Sequence, residues 1–184
     1  MSKKLNIVGF AGSLRKASWN AGLLREAQSI APDEMEIEIF DLIDVPLYNG
    51  DVEAVGYPEA VASLRKKVRE ADGIIIVTPE YNGSYSAVTK NAYDWLSRPE
   101  NCLPTKPLLI MSVSAGGSGG TRALGHLEPV AKGGGMRLVE PSVMIPFGSK
   151  KFDDKGKLTD FSVRAEIVRG LNDLSKKTAE APTI

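Results

Sequence analysis

Residues 73–82 read Gly73-Ile74-Ile75-Ile76-Val77-Thr78-Pro79-Glu80-Tyr81-Asn82. Four consecutive β-branched apolar residues are followed by a threonine and then by Pro79, which has no N–H to give to a sheet. A short run that is apolar on both faces, without alternation, is the pattern of a strand buried between two layers. Strands of that kind belong to parallel sheets covered by helices on each side. The segment Gly73–Thr78 therefore sets an α/β expectation, and the flanking sequence has to supply the other strands and the helices.

It does so in both directions. Downstream, Ser86–Leu96 carries Val88, Ala92, Trp95 and Leu96 on one helical stripe. Leu108–Val113 (LLIMSV) is a second doubly apolar strand, and Gly116–Gly120 leads into a helix over Thr121–Ala131. Gly133–Gly135 breaks that helix, Met136–Ile145 reads as a fifth strand, and Asp160–Lys177 as a terminal helix with Val163, Ile167, Val168, Leu171 and Leu174 roughly in phase. The last residues read as frayed. Upstream, Pro58–Ala71 is amphipathic through Val61, Leu64 and Val68, with Pro58 suited to a helix start. Val45–Gly56 reads as a loop, and Met35–Leu42 (MEIEIFDL) alternates apolar with acidic residues as a half-buried edge strand does. Asn20–Ile30 places Leu23, Leu24, Ala27 and Ile30 at helical spacing, and Leu5–Ala11 (LNIVGFA) is another buried strand. The order βαβαβαβαβα, without a linker or repeat, predicts one domain over residues 1–184, a parallel sheet with helices on both faces. Such sheets bind ligands beyond the carboxyl ends of their strands, where the winding reverses. That singles out the loops after the first, third and fourth strands.

Composition narrows the chemistry. The 184 residues are 42% hydrophobic and 25% charged, with 23 basic and 23 acidic side chains. A balanced charge argues against broad attraction to nucleic acid or to an anionic membrane. No apolar run approaches the roughly 20 residues that span a bilayer. Lys3-Lys4 followed by Leu5–Gly12 imitates a short signal peptide, but Asn6 interrupts it and Arg15-Lys16 follow at once. A cytoplasmic protein with a reduced thiol is expected. One cysteine, Cys102, precludes an internal disulfide framework and a thiolate cluster for zinc or iron–sulfur, and one histidine, His126, precludes a multi-histidine metal site and disfavours a Ser-His-Asp triad. Cys102 reads as structural, His126 as a solvated or core-edge helix residue. No metal is expected, and the chemistry falls to other side chains, the backbone or a borrowed cofactor.

The first loop runs Gly12-Ser13-Leu14-Arg15-Lys16-Ala17-Ser18-Trp19-Asn20 into a helix start. Helix N-termini attract phosphate; Ser13, Ser18 and Asn20 add neutral donors and Arg15 a forked cation. Ser and Asn are also the commonest caps, so the loop alone is equally a solvated helix start. Neither a Walker A pattern nor G-x-G-x-x-G is present. The second loop, Thr78-Pro79-Glu80-Tyr81-Asn82-Gly83-Ser84-Tyr85, holds a turn signal at Asn82-Gly83, two tyrosines and a carboxylate, which suits backbone reading of a polar aromatic ring system. Lys90, Asp94 and Trp95 on the following helix read as packing and local ion pairs. The third, Ser112–Arg122, has four glycines among Gly116–Gly120, which fits close approach to a flat ligand better than a flexible linker.

Together, Gly12-Ser13-Leu14-Arg15 with Ser18 and Asn20, then Thr78-Pro79-Glu80-Tyr81-Asn82-Gly83-Ser84 with Lys90-Asn91-Ala92-Tyr93-Asp94-Trp95, resemble the NADPH-dependent FMN reductase family, in its chromate and quinone reductase branch, over essentially the whole chain. The resemblance implies a flavodoxin-like, doubly wound five-stranded sheet in order 2-1-3-4-5, with FMN as cofactor and NADPH or NADH as co-substrate. It implies that Ser13, Arg15, Ser18 and Asn20 hold the FMN phosphate, that Pro79, Glu80, Tyr81, Asn82 and Gly83 run along the isoalloxazine, and that Ser114 to Gly117 border it from the other side. It further implies hydride transfer through the flavin with no catalytic side chain, small acceptors (quinones, chromate, ferric complexes, azo or nitro compounds), and a homodimer or dimer of dimers. The competing readings are a flavodoxin-type electron carrier without a nicotinamide site, and a flavin-binding structural or regulatory protein. Carriers usually present a strongly acidic face, which a neutral chain with a basic first loop lacks.

Overall fold

The computed structural model describes residues 4–180. In chain order its elements are β1 (Leu5–Ala11), α1 (Trp19–Ser29), β2 (Met35–Phe40), α2 (Gly50–Val55), α3 (Glu59–Glu70), β3 (Gly73–Val77), β4 (Glu80–Tyr81), β5 (Ser84–Tyr85), α4 (Ala87–Ser97), β6 (Pro107–Val113), α5 (Thr121–Gly133), β7 (Arg137–Leu138), β8 (Val143–Ile145) and α6 (Arg164–Ala179). The main sheet is parallel in the order β2-β1-β3-β6, with β7 and β8 both on the far side of β6. By position this is 2-1-3-4-5, the flavodoxin-like winding.

The fifth strand is the main correction. Met136–Ile145 is two short strands, because the ladder breaks between them. Val139 gives its N–H to the Leu108 carbonyl at 2.8 Å, and pairing resumes only at Met111 with Val143. Pro141 lies in the gap and has no N–H to offer. Other element boundaries differ from the sequence expectation for local reasons. The Val45–Gly56 loop contains α2, whose cap Asn49 accepts the Asp51 N–H at 2.9 Å. The terminal helix starts at Arg164, after a 3₁₀ turn at Phe161–Val163 in which Asp160 accepts the Ser162 N–H at 3.0 Å. Val168 is on its outer face, while Ile167, Leu171 and Leu174 are buried. Residues 181–184, expected frayed, and Met1–Lys3 lie outside the described residues.

Side chains alternate across the sheet into two cores. Phe10, Ile74, Ile76, Leu108 and Ile110 pack with α3, α4 and α5 through Leu64, Val68, Leu96, Leu124 and Leu127. Ile7, Ile75, Val77, Leu109 and Met111 pack with α1 and α6 through Leu23, Leu24, Ile167, Leu171 and Leu174. Each such side chain contributes about 2 kcal/mol when fully buried. The register places Ala11 beside Val77 and Val77 beside Met111. The three loops singled out by the sequence thus start from adjacent points on one edge of the sheet.

Candidate functional site

The first two loops are locked together by hydroxyls. Gly12 gives its N–H to the Val77 carbonyl at 2.8 Å, and its own carbonyl accepts from Ser86 Oγ at 2.6 Å. Ser86 Oγ lies 3.0 Å from Thr89 Oγ1, which donates to Thr78 Oγ1 at 2.9 Å. A Cβ on residue 12 would stand 2.0 Å from Thr89 Oγ1 and 2.6 Å from Ser86 Oγ. Glycine is demanded there by the crowding of α4's first turn.

Beyond this lock, the three loops enclose a cleft of about 150 Å³ lined by Ser13, Arg15, Ser18, Trp19, Asn20, Pro79, Glu80, Tyr81, Val113, Ser114 and Ala115. Ser18 caps α1 by accepting the Ala21 N–H at 3.2 Å. The N–H groups of Trp19 and Asn20, in the first turn, take no intrahelical partner, and both residues line the cleft. Ser13 Oγ stands 3.5 Å from the Tyr81 hydroxyl. Among the described residues Arg15 is the arginine that has no carboxylate, carbonyl or aromatic partner; the others are engaged by Gly156, Trp95, Glu100, Tyr48, Glu80, Glu180, Glu26 and Pro141. The cleft lining therefore brings together an arginine without a partner among the described residues, the Ser13 and Ser18 hydroxyls, and the first turn of α1.

The remaining expected residues divide. Asn20 is buried, and its side chain is committed to Val113, accepting that residue's N–H at 3.0 Å and donating to its carbonyl at 3.2 Å. It ties α1 to β6 and offers the cleft only its backbone. Glu80 lines the cleft, but its carboxylate turns to α5, accepting from Arg122 Nε at 2.9 Å and from the Arg122 backbone N–H at 3.2 Å. Asn82 and Gly83, with φ of +51° and +77°, form the two-residue turn of the β4–β5 hairpin and do not line the cleft. Ser114 lines it, with its hydroxyl folded onto the Gly116 carbonyl at 3.1 Å. Gly117 is exposed and off the cleft. Gly119 and Gly120 turn the chain into α5 with φ of +62° and +95°.

The sequence pattern of the NADPH-dependent FMN reductase family matches residues 5–150. The chain belongs to this family. It is 42% identical over 176 residues to an NAD(P)H-dependent FMN reductase of Pseudomonas aeruginosa, covering 95% of each chain. It is 47% identical over 133 residues to a quinone reductase of Escherichia coli, covering 71% of each. Among solved structures it resembles the flavoenzyme NAD(P)H:(acceptor) oxidoreductase FerB of Paracoccus denitrificans, with a TM-score of 0.86, 28% identity, and coverage of 96% of this chain and 98% of that one. An FMN reductase is an oxidoreductase with FMN as cofactor and NAD(P)H as co-substrate.

The donor set of the cleft fits FMN. A phosphomonoester is a dianion with oxygens that need several donors, and Arg15, the Ser13 and Ser18 hydroxyls and the α1 N-terminus supply positive charge and N–H or O–H groups together. Among the described residues no group of three His, Cys, Asp or Glu could hold a metal, and no helix is long and apolar enough to cross a membrane.

Around the FMN reductase cleft, Lys90 pairs with Asp94 and Trp95 is fully buried, as packing and ion pairing would have it. Asn91 gives its amide to the Pro46 carbonyl at 2.8 Å, and Trp95 Nε1 donates to the same oxygen at 2.8 Å, so this helix anchors the segment before α2. Tyr93 donates to the Val130 carbonyl at 2.9 Å, and burial holds its hydroxyl above the ordinary tyrosine pKa. Cys102 is buried, and exposed His126 meets Ser84 Oγ at 3.1 Å. Three residues carry site structure that sequence reading did not assign. Trp19 lines the cleft, and only its neighbour Ser18 hinted at it. Arg122 fastens the hairpin, with no local signal. Phe147 is exposed yet held at φ +56°, with its N–H on the Gly116 carbonyl at 3.0 Å and its ring where a Cβ on Gly117 would touch at 3.1 Å.

Proposed function

We propose that the protein is an NAD(P)H-dependent oxidoreductase that reduces small quinone-type acceptors through FMN held in the three-loop cleft. The observation that carries this is the unpaired Arg15 guanidinium beside the capped N-terminus of α1, at the carboxyl edge of a sheet wound 2-1-3-4-5. FMN bound there would supply the hydride chemistry linking the nicotinamide and the acceptor.

In this reading Ser13, Arg15 and Ser18, with the backbone N–H groups up to Asn20, hold the phosphate. Pro79, Glu80 and Tyr81 offer the wall for the ring, with the Asn82-Gly83 turn setting the hairpin's angle. Ser114 and Ala115 close the opposite border, while Gly117, expected to join them, stands outside the cleft. Glu80 acts through its backbone, because its carboxylate is spent on Arg122. No side-chain acid or base is needed, which agrees with the exposure of His126 and the burial of Cys102 away from the cleft lining.

An open binding face also suits chromate, ferric complexes, azo and nitro compounds as acceptors. Dimers, or dimers of dimers, are supported by exposed apolar side chains on the segment before and within α2: Ile43 at 56%, Leu47 at 80% and Val55 at 88% of full exposure. We place the enzyme in the cytoplasm, without nucleic-acid or membrane partners. The test is anaerobic stopped-flow mixing of the FMN-loaded protein with NADPH, followed by a benzoquinone. Bleaching of the flavin band within seconds and its return on adding quinone is expected. A band that NADPH leaves untouched favours the electron carrier.

A further inference from the structure

We propose that Phe147 is a positioning residue of the flavin site: from outside the cleft, its ring and its left-handed backbone hold the third loop against the isoalloxazine. The inference rests on the FMN reading of the three-loop cleft and deepens it.

The third loop has little stiffness of its own. Ala115, Gly116 and Gly117 are exposed, and glycine loses more conformational freedom on ordering than any other residue. What orders the loop is the turn that follows β8. Ser114 gives its N–H to the Ile145 carbonyl at 3.1 Å, and its own carbonyl accepts from the Gly148 N–H at 2.9 Å. The Gly116 carbonyl accepts the Phe147 N–H at 3.0 Å and the Ser114 hydroxyl at 3.1 Å. The turn is itself fixed, because the Phe147 and Gly148 carbonyls accept the Lys150 and Lys151 N–H groups, each at 2.9 Å.

The same turn reaches the opposite wall. A Cβ on Gly148 would stand 2.5 Å from Trp19 Cε3 and 2.8 Å from Val113 Cγ1, so the Gly148 backbone lies directly against the indole. Trp19 and Ser114 line the cleft, whereas Phe147 and Gly148 do not. One short turn thus braces two walls from behind.

Core packing does not explain the Phe147 side chain. It is about half exposed and belongs to neither core. Its ring lies instead where a Cβ on Gly117 would touch at 3.1 Å, with Lys150 Nζ 5.5 Å from the ring centroid. A bulky residue at φ +56° is an outlier. Such a backbone persists only where its surroundings over-determine it, and it clusters at active sites and ligand clamps. An aromatic ring aimed at the loop that borders the cleft, on a strained backbone, fits preorganisation of that loop for its ligand.

The test titrates apoprotein with FMN and with riboflavin, followed by flavin fluorescence, in the parent, Phe147→Asn and Phe147→Tyr. Asparagine accepts the left-handed backbone and removes the ring, while tyrosine retains the ring. Phe147→Asn should weaken both flavins about tenfold and by the same factor, because the third loop borders the ring system and the phosphate lies with the first loop. Its urea midpoint should be no lower than the parent's, which separates lost positioning from unfolding. Phe147→Tyr should bind both flavins as the parent does. Phe161→Asn, which removes another exposed aromatic ring just before α6, should change neither affinity. Should Phe147→Asn fail to fold, Phe147→Gly takes its place, since glycine meets φ +56° without a Cβ. Unchanged flavin affinity on removing the ring, a loss confined to FMN, an equal loss in Phe147→Tyr, or the same loss in Phe161→Asn would overturn the proposal. A parent protein that takes up neither flavin would instead fail the FMN reading, before any variant is compared.

Discussion

The Glu80 carboxylate lies 2.7 Å from Arg122 Nη2 and also accepts the Arg122 backbone N–H at 3.2 Å. A hairpin that follows one strand is thereby fastened to the first turn of the helix that follows the next. The acid sits where a helix N-terminus favours negative charge. Because Arg122 is 70% exposed while Glu80 is 8% exposed, the two partners are unequal. Arg122→Ala should cost about 0.5–1 kcal/mol, as exposed pairs do. Glu80→Ala, which also removes the acceptor from the helix start, should cost about 1–2 kcal/mol. Urea unfolding of the apoproteins checks both, and Glu80→Ala should weaken FMN binding more than Arg122→Ala.

Gly12 faces the Ser86–Thr89–Thr78 hydroxyl chain at distances no Cβ tolerates. Gly12→Ala should destabilise by about 1–3 kcal/mol through overpacking, and should lower FMN affinity because the phosphate turn shifts with it. An unchanged urea midpoint would show that the α4 cap yields without cost.

Phe147 is bulky, 47% exposed and left-handed at φ +56°. Such a conformation costs on the order of 1–2 kcal/mol for a residue of this type, while asparagine adopts it more readily. Phe147→Asn should leave the urea-unfolding free energy unchanged or raise it by up to about 1 kcal/mol. A loss above about 2 kcal/mol would mean that the ring's packing outweighs the strain.

Tyr93 supplies a pH signature. Its hydroxyl titrates above the ordinary value of 10.0, first because of burial and then because Tyr85 and Asp94 are close. The folded state favours the neutral phenol, so its contribution is complete below pH 10 and is lost as pH rises through the unfolded value toward the raised folded one. Parent protein should exceed Tyr93→Phe by about 1 kcal/mol at neutral pH, the worth of the Val130 hydrogen bond. The gap should shrink above pH 10. A gap independent of pH would refute the assignment.

The winding was legible because β1, β3 and β6 are too apolar to be anything but doubly covered strands, and because their loops carry the odd residues. The fifth strand misread because Met136, Leu138, Val139, Val143 and Ile145 are all buried whether or not the ladder between them is continuous. Periodicity reports burial, while pairing depends on where Pro141 falls. Ser13, Arg15, Ser18 and Ser114 line the three-loop cleft as their loops suggested, because a loop's donors can be read locally. Asn20 reads the same way, yet its side chain bonds Val113, which is 93 residues distant. Arg122 and Phe147 act only through such long-range partners and leave no local trace.

The FMN phosphate is expected between Arg15, the loop serines and the start of α1. Titrating apoprotein with FMN and, in parallel, with riboflavin, which lacks only the phosphate, measures that directly through quenching of flavin fluorescence. FMN should bind on the order of a hundredfold more tightly, since two charge-assisted contacts are worth about 3 kcal/mol. Equal affinities, or no uptake of either flavin, would contradict it.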